Sequence, residues 1–541
     1  MKKHILYAIP LFASCLVACS DWDDHFNNTG SGAAGSNTTL WQQIKENPDL
    51  SDFAHVLEET KIFRQHKKTS VSYAQLLDGG QSFTVVAPVN GTFNKDTLLN
   101  MVKTAQGDSI VEKSFVLNHL SRSLTSTSQT SKRMLLLNGK YAEFEEGLIE
   151  GVALTASNQR AKNGILHIAA SPLEFERNLY EMLCDHEDLT PIGAALRDYE
   201  EDYFDADQSV SSGIVEGVPV YVDSVIIERN KMVNHIGYIN REDSCYWVAV
   251  PSKDAWNETW EETQKYFVYD GGVLKRDSLQ HYWTTFFMLS DGIFNPTLNT
   301  HPQDSLMSDQ YVRGSQRPGK PMYHVFQKPF DEGGILHGAE EIQCSNGVIY
   351  KTPTWPFTPE ETFFRQIWVE GESTWQITED KLCIYNGRRL AADSISESGY
   401  LQILPEKNTS NWELTFRLDN TLSAHYDICA VVLPRSITHP NEAKYKPCKF
   451  KAYVNYVDEE GKAQTFNCGN KQFTPDPLQV DTVVLAESFY LPACNYGETD
   501  IKVSLKLQCS IIAREQSSYS REMYLDCIYL RPRRDVASNE E

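Results

Sequence analysis

Apolar positions change their spacing three times along the chain. Leu40, Trp41 and Ile44, then Phe53, Val56 and Leu57, recur at helical spacing, with Ser51 read as a helix N-cap. Phe83-Thr84-Val85-Val86-Ala87-Pro88 reads as a strand that Pro88 and the Asn90-Gly91 pair turn aside. A helix-like stretch runs from Phe115 to Leu120, and the region closes on Asn163-Gly164-Ile165-Leu166-His167-Ile168. The same order then returns. Thr190 as N-cap and Pro191 in the first turn start a helix carrying Ile192, Ala195, Leu196 and Tyr199, and a strand is expected from Gly217 to Val225. Tyr246 to Pro251 repeats the strand that ends in proline, and Asn346-Gly347-Val348-Ile349-Tyr350 echoes Asn163 to His167. Duplication of a unit predicts such an echo. Past Trp355-Pro356-Phe357 the period drops to two. Trp412, Leu414, Phe416 and Leu418 alternate with polar residues, as do Phe450, Ala452, Val454 and Tyr456, and Ile501 through Cys509. That alternation predicts an antiparallel sandwich with one wet face per sheet.

The N-terminus follows other rules. Lys2, Lys3 and His4 precede an apolar stretch from Ile5 to Ala18, shorter than the ~20 residues a spanning helix needs. This is the form of a secretory signal over residues 1–18. Leu16-Val17-Ala18-Cys19 resembles a lipobox, which implies lipidation of Cys19 and a membrane anchor. The acidic cluster around Ser20, Asp21, Asp23 and Asp24 resembles the surface-export signal of outer-membrane lipoproteins, and implies a position on the outer face of the cell. Residues 19–39 read as a tether, whose polar, glycine-rich run from Asn27 to Thr39 has an end-to-end distance of roughly 20 Å.

Residues 40–182 are similar to the fasciclin domain, on the segments TVVAPVNGTF (with Pro88 and Asn90) and NGILHIAASPL (with Asn163, Gly164 and His167). His119 stands where that family has a Tyr-His pair, but Asn118 precedes it, so the family's adhesive dipeptide is broken. Residues 183–362 resemble a divergent second copy, with Pro251, Asn346 and Gly347 at matching positions. Within 363–535, the first strand from Ile367 and the last from Tyr524 resemble those of galactose-binding-like jelly rolls. The fold class implied is two α+β fasciclin-type domains followed by an all-β sandwich. Glu370, Glu372 and Asp526 fall where related jelly rolls place a structural calcium, a metal suited to oxygen donors. No other cofactor is expected.

A net charge of −23 argues against nucleic acid, whose binding needs clustered Lys and Arg. Of twelve cysteines, Cys15 and Cys19 belong to the signal, and the rest contain no CxxC pair. Nucleophile-elbow, P-loop, HExxH and EF-hand patterns are absent from the sequence, so no enzyme is expected. Acidic pairs such as Glu200-Glu201 and Asp205 with Asp207, and the lone Glu361, read as solvated surface. His119 and His167 read as buried and hydrogen-bonded, and the aromatics from Trp247 to Phe287 as mostly core, with an exposed subset able to stack on sugar or anchor a protein.

The expectation is therefore a non-enzymatic surface lipoprotein. Its make-up resembles accessory components of SusC/SusD-like uptake systems, which implies a transporter partner and a glycan or peptide cargo. Adhesion to a matrix glycoprotein and direct glycan capture by the sandwich are the alternatives.

Overall fold

The computed structural model describes residues 37–64, 67–127, 133–145, 147–215, 218–271, 273–308, 324–392 and 394–534. The signal, Cys19 and its acidic neighbours Ser20, Asp21, Asp23 and Asp24 lie outside them. The chain divides into two compact units, 1–175 and 176–541.

In the first unit, the helix Leu40–Glu46 begins at a capping box between Thr39 and Gln42. Thr38 is folded too, since its carbonyl accepts from Lys162 N at 2.8 Å, so the tether stops short of residue 39. Ser51 is no cap. It is the first residue of the helix Ser51–Glu59, while Asn47 caps the short turn Pro48–Leu50 before it. Strand Phe83–Pro88 is buried along its whole length, and runs parallel to Gly164–Ala169 as the second and third strands of a seven-stranded sheet. Helices cover one face of the pair, and Met134, Ala142 and Phe144 cover the other, so it has no polar alternation.

The second unit opens with the same parts in the same order. Helix Leu179–Asp185 starts at a capping box between Asn178 and Glu181, so the copy begins before residue 183. Helix Thr190–Arg197 follows with Leu189, not Thr190, at its N-cap. Strand Tyr246–Pro251 runs parallel to Gly347–Thr352 in a four-stranded sheet. Between the helices Thr190–Arg197 and Lys231–Ile236, the strands Glu200–Val215 and Val218–Asn230 form a long antiparallel ribbon that no third strand joins among the described residues.

Residues from Ile367 onward build a β-sandwich. One sheet holds the strands Cys383–Arg389, Gly399–Pro405, Met523–Arg533, Ala424–Val432 and Asp481–Leu491 in that order, with Ile367–Glu370 also beside Met523–Arg533. The first and last strands of the sandwich are thus direct antiparallel partners, Ile367 facing Leu530. The other sheet runs Ile377–Lys381, Glu413–Arg417, Ser504–Cys509, Phe450–Val457, Ala463–Asn467, all antiparallel. Leu414, Phe416, Leu505, Leu507, Phe450, Ala452 and Val454 point into the space between the sheets and are buried.

The second α+β copy and the sandwich share a core instead of forming separate domains. Phe267, Trp283 and Phe287 meet Phe363 or Tyr496 at ring separations of 4.8–6.5 Å, and Phe286 packs on Trp283 and Phe287 behind them. Tyr269 donates its hydroxyl to the Tyr496 carbonyl at 3.0 Å. The aromatic run is thus spent on packing, and Trp256, Phe267, Tyr269, Phe286 and Phe287 are each no more than 2% exposed.

Candidate functional site

Two asparagines do equivalent work in the two copies. Asn163 accepts the N–H of Leu40 at 2.8 Å and donates to the carbonyls of Leu77 and Gly79. Asn346 accepts the N–H of Leu179 at 2.8 Å and donates to Ile239 and Arg241. Each satisfies the first orphan donor of a helix and staples a loop. The glycines beside them are sterically required. A Cβ on Gly164 would stand 2.0 Å from the Phe83 carbonyl oxygen, and on Gly347 1.8 Å from that of Tyr246. Pro88 and Pro251 end their strands opposite Ala169 and Thr352. Asn90 accepts from Asp52 N at 2.8 Å and donates to the Pro48 carbonyl at 2.7 Å, fastening the turn to the helix start.

The histidines are buried. His119 is 0% exposed, bonds the Phe115 carbonyl through Nδ1 at 2.7 Å, and accepts from Leu173 N through Nε2. Those partners require a neutral ring with its proton on Nδ1. Burial pushes its pKa down to about 4. His167 contacts the Thr125 carbonyl at 3.0 Å, and burial lowers its pKa as well. Asn118 is 2% exposed and donates to the carbonyls of Leu173 and Glu174. This dipeptide offers nothing to a partner.

Glu370, Glu372 and Asp526 sit at one end of the sandwich. Asp526 accepts from Ser396 N at 3.0 Å, and Glu372 lies 3.6 Å from Arg389. Burial, with Glu370 and Glu372 nearby, pushes the Asp526 carboxyl up to about 7. The donors are of the oxygen type calcium takes. Yet among the described residues no three His, Cys, Asp or Glu side chains gather round one point as a metal cage. The three feel one another's charge. Glu201 is paired with Arg229 and Lys231, each at 2.5 Å, and Glu361 caps a turn at Thr358. The side chains of Asp205 and Asp207 lie outside the described residues.

The five-stranded sheet presents a different surface. Strand register lines its outward side chains into rows. Lys381 faces Glu413, Glu413 faces Gln508, and Gln508 faces Lys451. In the next row Thr415 faces Lys506, which faces Tyr453, which faces Asn467. In the third, Arg417 faces Ser504, Ser504 faces Asn455, and Asn455 faces Thr465. A hydrogen-bonded network holds these groups in place. Gln508 donates to Glu413 at 2.6 Å and accepts from the Tyr453 hydroxyl at 3.2 Å, while Asn455 donates to Ser504 at 3.1 Å. The Lys506 ammonium stands 4.7 Å from the Tyr453 ring centre. Trp375, 55% exposed on the turn before the first strand, lies against Arg417 at 5.3 Å. The result is a half-buried polar floor with an aromatic ring within it and another at its rim. Tyr453 lies two strands from Arg417, roughly 10 Å across the sheet. Alternation alone marks Lys451, Tyr453 and Asn455 as one wet face, but their neighbours on Ser504–Cys509 are set only by strand order.

No family model matches the sequence, and no curated protein matches it. Among solved structures, the chain is similar to the xylanase 10B modules of Clostridium thermocellum solved with xylohexaose. The identity is 9% and the TM-score 0.20, over 31% of this chain and 26% of that one. This chain thus spans about a quarter of that structure's length. It is similar to a xylan-binding domain of family 22 at 12% identity and TM-score 0.21, over 31% of this chain and 94% of that one. A family 35 carbohydrate-binding module from Clostridium thermocellum matches at 8% identity and TM-score 0.18, over 31% and 99%. At these scores the likeness carries no argument. The sandwich is assigned from its own strand order.

Proposed function

We propose that the protein is a non-enzymatic, lipid-anchored surface protein that binds glycan on the five-stranded sheet of its sandwich. One observation carries the reading. The outward face of that sheet is a fixed network of polar side chains holding Tyr453, with Trp375 exposed beside it. Hydroxyl-rich ligands need pre-set donors and acceptors for their oxygens and a flat ring for their C–H faces. Preorganised groups lose less entropy on binding. The anchor expected at Cys19 holds this face at the membrane, and among the described residues no helix is long and apolar enough to cross one.

The test is a glycan array probed with the full chain in detergent. Binding to at least one glycan class is expected, weakened about tenfold by Trp375→Ala or Tyr453→Ala. A silent array sinks the reading.

A second reading, association with another surface protein such as a SusC/SusD-like transporter, has the ribbon in its favour. Among the described residues its strands, Glu200–Val215 and Val218–Asn230, pair only with each other, leaving two outer edges open to strand addition. Recovery of the tagged protein alone from solubilised membrane would count against it. The fasciclin assignment of the two α+β copies stays part of the proposal, with the matched Asn163 and Asn346 latches in its support.

A further inference from the structure

The sheet face that the glycan reading rests on has an excess of positive charge, in a chain whose net charge is −23. Glu413 is engaged by Gln508 and Lys381, and Arg417 by Asp419 at 2.7 Å. Lys451 and Lys506 differ. They lie diagonally across neighbouring strands, Lys451 facing Gln508 and Tyr453 facing Lys506, so both side chains leave the same outward face. Neither makes an ion pair among the described residues. Like charges so close repel, and half-burial by the sheet raises that cost above its value in open water. The carboxylates on this face are Glu379, opposite Thr415, and Glu413, and among the described residues neither pairs with these two lysines. We propose that Lys451 and Lys506 receive the anionic groups of an acidic polysaccharide, carboxylates or sulfate esters carried on the sugar rings.

Tyr453 sits between the two lysines on the same face, so one ring can stack while its acidic substituent, or that of the next ring, meets an ammonium group. A neutral glycan of the same ring shape finds the stacking surface but leaves both cations unpaired. Specificity then comes from charge and general affinity from the aromatics.

The experiment is calorimetric titration of the full chain with four oligosaccharides: oligogalacturonate, its methyl ester, a chondroitin sulfate oligomer and xylohexaose. The acid or the sulfate should bind about tenfold or more tighter than the ester and the neutral oligomer. The preference should shrink as salt rises from about 0.05 M to about 0.5 M. Lys451→Gln with Lys506→Gln should bring the anionic ligands down to the level of the neutral one. The circular dichroism and melting temperature of this variant should match those of the parent, which shows that the sheet is intact. Tight binding of the acid assigns carboxylate as the natural group, and of the sulfate alone assigns sulfate. Equal binding of acid and ester, or no effect of the double substitution, overturns the inference and leaves glycan binding standing. Failure of all four ligands, with Trp375→Ala also silent, overturns both.

Discussion

Just before its short edge strand, the first α+β copy holds Asn118 and His119, and the second holds Asp291 and Gly292. The match is set by register, since Val85 faces Leu120 as Val248 faces Ile293. Both sites reach for the chain that follows the copy's last strand. Asn118 and His119 bind the backbone of Leu173 and Glu174 as neutral groups. Asp291, fully buried, meets Arg365 at 3.3 Å, and Arg365 also donates to the Glu361 carbonyl. One architectural task is thus done by amide and imidazole in one copy and by an ion pair in the other. The shared parts specify the fold, and the exchanged parts set how each copy responds to its surroundings.

The shared parts should break both copies alike. Gly164→Ala and Gly347→Ala each drive a Cβ into a strand carbonyl at 2.0 and 1.8 Å, which separates the parallel pair of its sheet. A loss of about 3 kcal/mol or more is expected for each, read by chemical denaturation. A loss in only one copy would show that the match is superficial. Asn163→Ala and Asn346→Ala come next, at about 2–3 kcal/mol, because each leaves one helix N–H and two loop carbonyls without their partner.

Much of this copy-to-copy match is legible in the chain, because Asn163-Gly164 and Asn346-Gly347 combine a turn residue with a small one beside an apolar run. The sandwich is legible for a similar reason, since Phe450, Ala452 and Val454 alternate with Lys451, Tyr453 and Asn455. Three features are not. Ser51 and Thr190 have the chemistry of caps, but a short turn ahead of each helix moves the cap to Asn47 and His186. The joining of the second copy to the sandwich depends on Phe287 meeting Tyr496, a contact no local pattern encodes. The pairing of Lys451 with Lys506 on one face needs the strand order, which alternation does not carry.

The exchanged parts should make the copies diverge with pH. His119 has an ordinary pKa of 6.5 and about 4 in the fold, so between those values the unfolded chain takes up a proton that the folded chain refuses. Its contribution is present above pH 6.5 and lost as pH falls toward 4. At 1.36 kcal/mol per unit, that is about 2 kcal/mol between pH 7 and pH 5. Asp291 has the opposite sign. Burial raises its carboxyl from 3.8 to about 7, against the pull of Arg365 and with Glu361 adding to the rise, so the folded state holds the proton longer. Its contribution is full below pH 3.8 and is lost as pH rises through 7. Thermal melts of His119→Gln and Asp291→Asn against the parent at pH 7 and pH 5 check both signs. His119→Gln should flatten acid destabilisation, and Asp291→Asn should remove a loss at the alkaline end. The same sign for both would erase the contrast.

The smallest effect should come from the largest visible difference. Between its second and third helices the first copy carries a short hairpin, Lys61–Arg64 and Lys67–Ser72, where the second carries the ribbon of sixteen and thirteen residues. A lone two-stranded ribbon adds little stability in water, and among the described residues no third strand joins this one. Its base is a different matter. Glu201 pairs with Arg229 and Lys231, and Asn230 donates to the Leu196 carbonyl at 2.6 Å and caps the next helix through Val233 N. A variant that keeps Glu200, Glu201, Arg229 and Asn230 but shortens the ribbon to the length of the first hairpin should therefore unfold within about 0.5 kcal/mol of the parent. Its glycan affinity should not change, because the sheet face lies on other strands. A stability loss well above that would mean the ribbon supports the fold. A neutral change, with loss of a co-purifying membrane protein, would mean its open edges serve a partner.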